Sequence, residues 1–236
     1  VAKEKFEKMP KASGVYSFRG EGGAVLYIGK AANLRDRVRN HFAQPSYRDD
    51  LFIEHVTRIG YVRTESEIEA LLLESQLIKQ KQPRYNVMWK DGKGYFYVAI
   101  TKEDLPRVFL THQLPPYGRS PAGRQTKNYK LKTQYIGPFV DGKAIKRTLR
   151  NLRRAFPYYT VKKHGPKPCQ YCHLGLCPGP TPNKKEYQKN IKNLVAVLQA
   201  KKPAVLKKLQ REMTLASKNQ EYEKATRLRD QIQDLE

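Results

Sequence analysis

Gly14-Val15-Tyr16 and Tyr27-Ile28-Gly29-Lys30 flank a turn-forming run, Arg19-Gly20-Glu21-Gly22-Gly23. Each aromatic-plus-glycine run reads as a strand, and the glycines between supply a chain reversal. Residues 14–30 are therefore predicted to form a β-hairpin. Pairing the two strands brings Tyr16 close to Tyr27 and leaves Lys30 just past the end of the second strand. Taken singly, the tyrosines suit aromatics that pack a sheet, and Gly29 suits an ordinary strand-end turn.

Working outward, Asn33 reads as an N-cap with Asp36 in a capping-box-like position, so a helix should follow. Leu34, Val38 and Phe42 would form its buried side, and Arg37 and His41 would share an adjacent face. A second helix is predicted over about residues 65–81, with Ile68, Leu71, Leu72 and Ile78 on its apolar stripe. Glu74 sits among Ala70, Leu71, Leu77 and Ile78. A carboxylate in such company either snorkels to the surface or is compensated by a cation, and hard divalent ions take oxygen ligands.

The 236-residue chain carries 46 Lys plus Arg against 22 Asp plus Glu, a net charge of +24. That excess calls for a polyanionic partner, nucleic acid before an anionic membrane. No apolar run approaches the length of a spanning helix and no signal-peptide pattern opens the chain, so a cytoplasmic, membrane-free protein is expected. The charge divides the sequence into three regions: 1–90 with net +5, 91–203 with net +18 and 204–236 with net +1. The middle region is thus the expected polyanion-binding part.

Within it, residues 115–134 are rich in Pro, Gly and basic side chains and read as a loop or arm. From Asp141 to Phe156 a helical pattern returns. Ile145, Leu149 and Leu152 are apolar in it, while Lys146, Arg147, Arg150, Arg153 and Arg154 suit a phosphate backbone. Cys169, Cys172, His173 and Cys177 are spaced closely enough for a metal site, either tetrahedral Zn²⁺ or an iron–sulfur cluster. His164 is the remoter alternative for a fourth ligand, and three reduced, unliganded cysteines are the plain one.

In the last region, Leu206, Leu209, Met213 and Ala216 are spaced three, four and three apart. After a turn at Ser217–Gln220, Ala225, Leu228, Ile232 and Leu235 repeat an apolar seam. A hairpin this short buries two seams poorly by itself, so a partner or the chain's own body should cover it.

In order and spacing, Gly14-Val15-Tyr16, Tyr27-Ile28-Gly29-Lys30, Asn33-Leu34, Arg37, the Glu74 helix and Pro83-Arg84-Tyr85-Asn86 resemble a GIY-YIG nuclease domain. The form is that of the UvrC family, the incising component of the ABC excinuclease of nucleotide excision repair. The likeness continues through Lys90–Tyr97, Tyr135–Phe139 and the cysteine cluster, and Glu221–Ile232 resembles the UVR motif.

The resemblance implies an α+β fold: a small mixed or antiparallel sheet with flanking helices, a basic connector, and a C-terminal helical hairpin. It implies a Mg²⁺- or Mn²⁺-dependent endonuclease that incises damaged double-stranded DNA on the 3′ side and leaves a 3′-hydroxyl and a 5′-phosphate. Glu74 would hold the metal, and Tyr27 would act as base or water positioner. Lys30 and Arg37 would neutralise phosphate charge, Tyr16 would position water or phosphate, and Asn86 would orient groups near the metal. Nearby cations would pull the Tyr27 pKa below its usual ~10.

His41 stands where the family commonly has a further tyrosine. Around the cysteine motif the family usually has four cysteines holding a cluster; Val161 and Thr181 occupy two of those positions, and Cys172 is extra. Tyr222, Ala225, Leu228, Ile232 and Leu235 would pair with the matching hairpin of UvrB, the excinuclease component that recruits this family. The family's second nuclease domain and helix-hairpin-helix region have no counterpart in this sequence, so the 5′ incision is not expected of it. Two rival readings keep much of the pattern: a non-catalytic adaptor for DNA and UvrB, and a free-standing GIY-YIG nuclease of mobile-element type.

Overall fold

The computed structural model describes residues 4–87, 95–112, 133–162 and 164–236. Lys90 to Gly94, most of the basic loop at 115–134 and the boundary at 90/91 lie outside the described residues. The chain divides into two units: Val1–Tyr95 with Gly137–Asp141, and Phe96–Ile136 with Gly142–Glu236. The α+β expectation holds.

In the first unit a short helix, α1 (Glu4–Glu7), precedes β1 (Gly14–Arg19). The chain then reverses through Gly22 and Gly23, whose positive φ angles of 62° and 79° favour glycine. It returns as β2 (Val25–Ala31), the second strand of the predicted hairpin. Lys30 lies inside β2, opposite Val15, rather than past the strand end.

A third strand, β3 (Arg58–Arg63), pairs antiparallel with the other side of β1, giving the order β2-β1-β3. Tyr16 is thereby flanked by Gly29 on one side and Tyr61 on the other. Placing β1 in the centre buries Tyr16 and Phe18 almost completely.

Asn33 caps α2 (Leu34–Ala43) as its sequence position predicts, accepting from the Asp36 N–H. Leu34 and Val38 are fully buried there, each worth about 1.5–3 kcal/mol. The next helix, α3 (Tyr47–Asp50), is a single turn closed by a Ser46–Asp49 capping box. Ser66 caps α4 (Glu67–Lys81), which packs on β2 and β1, and α5 (Arg84–Val87) packs on β2.

The second unit holds β4 (Phe96–Thr101), β5 (Val108–Thr111) and β6 (Thr133–Phe139) up to Ile136, ordered β5-β4-β6. The amphipathic α6 (Gly142–Ala155) follows, burying Ile145, Leu149 and Leu152, then one turn, α7 (Gln170–His173). Three longer helices complete it: α8 (Lys184–Leu198), α9 (Lys202–Lys218) and α10 (Tyr222–Leu235). The last two form the predicted hairpin, and α10 also packs on α6. Among the described residues no helix is long and apolar enough to cross a membrane.

Candidate active site

The two signature glycines are required by close approach. A Cβ on Gly29 would lie 2.5 Å from Tyr16 Oη and 2.6 Å from its Cζ, and one on Gly14 would lie 2.3 Å from the Val62 carbonyl oxygen. Gly29 is therefore no turn residue; its bare backbone makes room for the Tyr16 ring. Across it runs a cleft of about 470 Å³, whose lining includes Tyr16, Tyr27, Lys30, Arg37, Glu74 and Asp141.

Glu74 is buried, so the snorkelling alternative falls away. Its Oε1 accepts the Lys30 backbone N–H at 2.9 Å, and its Oε2 has no hydrogen-bond partner among the described residues. Burial pushes the carboxyl up to about 7, with the Lys30 N–H and ammonium pulling the other way. The Lys30 ammonium is itself held 3.1 Å from Asp141. An orphaned carboxylate oxygen on an open polar cleft fits a hard divalent cation.

Behind the cleft, Tyr16 Oη lies 2.6 Å from His41 Nε2, and His41 Nδ1 lies 2.6 Å from Asp49 Oδ1. The second Asp49 oxygen accepts from the Ser46 N–H at 2.9 Å and from the Ser46 hydroxyl at 2.8 Å. Burial alone would raise the Asp49 carboxyl, yet the Ser46 hydrogen bonds and His41 carry it below the ordinary carboxylate value. Burial lowers His41, although Asp49 draws it upward. Near neutral pH the pair is therefore a carboxylate beside a neutral imidazole. The ring proton belongs on Nδ1, facing the anion, and Nε2 is left to accept the Tyr16 O–H.

At Tyr27 the lowering by Arg37 is outweighed by burial in the metal-free chain. Burial, reinforced by Tyr27, raises Tyr16 well above its ordinary value despite Arg37. Burial and the Glu74 charge raise Tyr27, despite the nearby Arg37 cation. Asn86 also differs from its expected place. Its Oδ1 accepts the Ile28 N–H at 2.7 Å and its Nδ2 donates to the Ile28 carbonyl at 2.9 Å, so its amide pairs with β2 as a strand neighbour would. Asp49, Ser46 and Asp141 were not predicted. The Ser46-x-x-Asp49 capping box was their one sequence signal.

Elsewhere the predicted residues part company. On α6, Lys146, Arg147, Arg150 and Arg154 are exposed along one stripe. Arg153 is instead drawn inward: its Nε donates to the Leu176 carbonyl at 2.6 Å, a terminal nitrogen reaches the Tyr158 carbonyl at 3.0 Å, and its guanidinium covers the Tyr158 and Tyr171 rings.

His164, not His173, joins Cys169, Cys172 and Cys177, with all four ligand atoms within 4.8 Å of one another. The exposed His173 ends α7, outside that group. In the hairpin, Leu228, Ile232 and Leu235 are buried against the chain's own helices, so here the body covers that seam. Tyr222 is 65% exposed and Leu215 60% exposed; Ala225 is half-buried.

Three family models match in succession: a UvrC-like GIY-YIG domain over residues 12–87, the UvrC/Cho excinuclease middle domain over 95–197 and the UvrB/UvrC motif over 204–236. The UvrABC system protein C of Moorella thermoacetica is 37% identical over 238 residues, covering 97% of this chain and 36% of that protein. That of Carboxydothermus hydrogenoformans is 37% identical over 243 residues, covering 99% of this chain and 38% of its own length. The chain thus spans a little over a third of the curated relatives it matches. A crystal structure of the GIY-YIG N-terminal endonuclease domain of UvrC from Thermotoga maritima, bound to magnesium as its catalytic divalent cation, is 34% identical. It covers 36% of this chain and all of that domain, with a TM-score of 0.33. With nuclease, middle and UVR segments matched in order, the chain belongs to the UvrC family.

Proposed function

We propose that this chain cuts one strand of damaged duplex DNA on the 3′ side of the lesion, after recruitment by UvrB. The observation that carries the reading is the cleft that gathers Tyr16, Tyr27, Lys30, Arg37 and the half-unpaired Glu74 carboxylate. Glu74 would hold Mg²⁺ or Mn²⁺. When bound, such an ion supplies Lewis-acid stabilisation of phosphate oxygens and acidifies a water molecule.

The chain's own groups handle the proton and the charge. Tyr27 is read as a relay, taking a proton from the attacking water and passing its own toward Tyr16, whose ring lies beside it with centroids 6.2 Å apart. His41 Nε2 is the acceptor at the end of that line, and the Asp49 carboxylate stabilises the imidazolium that forms. Arg37 and Lys30 offset charge that builds on the phosphate in the transition state. In this reading the 3′ oxygen departs and takes a proton from solvent water, so the products are a 3′-hydroxyl and a 5′-phosphate. Asn86 holds β2 in register behind Ile28, which fixes Tyr27 and Gly29 on either side.

The basic stripe of α6 supplies sequence-independent phosphate contacts, and the exposed Tyr222 and Leu215 of the hairpin supply a contact for UvrB. The test is Mg²⁺- or Mn²⁺-dependent nicking of a lesion-bearing duplex preloaded with UvrB, comparing the parent with Tyr27→Phe and Glu74→Gln. A single 3′-side nick lost in both variants supports the reading; a folded, DNA-binding parent that never nicks overturns it.

A further inference from the structure

We propose that His164, Cys169, Cys172 and Cys177 bind one structural zinc ion, in place of the iron–sulfur cluster that four cysteines would hold. The four ligand atoms lie within 4.8 Å of one another, with Cys169 Sγ 3.4 Å from Cys172 Sγ and Cys172 Sγ 3.3 Å from His164 Nε2. A tetrahedron with Zn–S of ~2.3 Å and Zn–N of ~2.0 Å has edges of about 3.5–3.8 Å, so two contacts are already that short and the whole group is within about 1 Å of a single-ion shell. A four-iron cluster binds each thiolate through a separate iron and needs its ligands spread over a wider cage. The ligand chemistry disagrees with a cluster as well. Val161 and Thr181 have no thiol to offer, and Val161 is 55% exposed.

Two further contacts have the character of outer-shell support. His164 Nδ1 is 2.7 Å from the Gly165 carbonyl, an oxygen that can only accept; the ring proton sits there and the Nε2 lone pair faces Cys172. The Cys169 N–H points at Cys172 Sγ at 3.3 Å, a contact that favours the thiolate. Cys169 and Cys172 are held in this arrangement by α7, where the Cys172 N–H also bonds back to the Cys169 carbonyl at 2.8 Å.

Four protein ligands leave no open position, so the ion is structural rather than catalytic. It would fasten the segment whose Leu176 carbonyl receives Arg153 and whose Gly179 carbonyl receives the Tyr159 hydroxyl. This inference stands apart from the nuclease reading, because its readout is metal content.

The test is elemental analysis of the full chain purified from cells supplied with both iron and zinc, followed by Co²⁺ titration of the reduced, metal-free protein. The expected result is one zinc per chain without iron or acid-labile sulfide. Co²⁺ should give the intense visible bands of a tetrahedral thiolate site. His164→Ala should weaken Co²⁺ binding by more than ~100-fold, beyond the effect of losing an outer partner, whereas His173→Ala should leave it unchanged. If His164→Ala does not fold, His164→Cys should retain Co²⁺ with its bands shifted toward an all-thiolate site. Several irons with labile sulfide, no uptake of either ion, or equal affinity without His164 would each overturn the proposal.

Discussion

Tyr16 Oη and His41 Nε2 stand 2.6 Å apart in the buried wall of the cleft, and His41 in turn leans on Asp49 at the same distance. A phenol thus has a basic nitrogen behind it and an anion behind that. The groups facing the imidazole are Tyr16 and Tyr27 from the sheet, Asp49 from α3 and Arg37 from its own helix. The relay should show itself in the pH dependence of cleavage.

His41→Ala should lower the single-turnover rate by about 10²–10⁴, the range for a general base. Asp49→Asn should cost less, and it should displace the acid limb of the pH–rate profile. Asp49 raises the His41 pKa, so losing its charge lets the imidazole stay neutral to lower pH. The acid limb therefore moves down. A limb that stays in place, measured with saturating metal, would show that His41 is not the group being titrated.

Glu74 ties the metal site to stability. Its carboxyl is raised from an ordinary 4.5 to about 7, chiefly by burial. Below about pH 4.5 both folded and unfolded chains carry the proton. As pH rises toward 7 the unfolded chain ionises first, so this group's stabilisation of the fold is lost through that window and stays lost above it. Metal-free Glu74→Gln should therefore be more stable than the parent at pH 8 by something on the order of 3 kcal/mol, with the advantage shrinking by pH 5. Adding Mg²⁺ should stabilise the parent alone. Urea unfolding at both pH values, with and without the ion, checks all three statements.

The basic helix α6 offers a division of labour between neighbours. Alanine at Arg150 or Arg154, both exposed, should reduce the salt slope of DNA binding by roughly one each and leave stability within about 0.5 kcal/mol. Arg153→Ala should do the reverse. It removes the contacts to Leu176, Tyr158 and Tyr171 and should lower the melting temperature with little change in slope. Equal slopes for Arg153→Ala and Arg154→Ala would put Arg153 back on the DNA.

In the hairpin, Leu228→Asp buries a carboxylate among apolar helices and should cost about 2–5 kcal/mol, comparable to emptying a core position. Tyr222→Ala, on the open face, should barely alter thermal unfolding but should weaken capture of UvrB. A stable Leu228→Asp chain that has lost only UvrB binding would mean that the hairpin leaves the body to bind.

What was legible in the sequence was local. The glycine turn, the Asn33 cap and the apolar run around Glu74 each depend on residues a few places apart, and each formed as read. Fates decided by distant approach were not legible. Nothing near Gly29 tells that the Tyr16 ring will press on it, and nothing near Arg153 tells that Leu176 will claim it. The choice of His164 over His173 is instructive: the nearer histidine in sequence ends a helical turn outside the thiol group, while the farther one is folded back onto the thiols. The upward push on Tyr27 was hidden for a related reason. Charges can be counted from a sequence, but the cost of burying a phenol needs the sheet that buries it.

Asn86 occupies the outer edge of β2, giving Ile28 one bond in each direction as another strand would. A free strand edge is where one protein molecule adds to the next, and a side chain that mimics the missing strand closes that invitation. Replacing Asn86 would open the edge at the same moment that it loosens the catalytic wall. An inactive Asn86 variant would therefore have two explanations, self-association and lost chemistry, and light scattering would have to be read beside its cleavage rate.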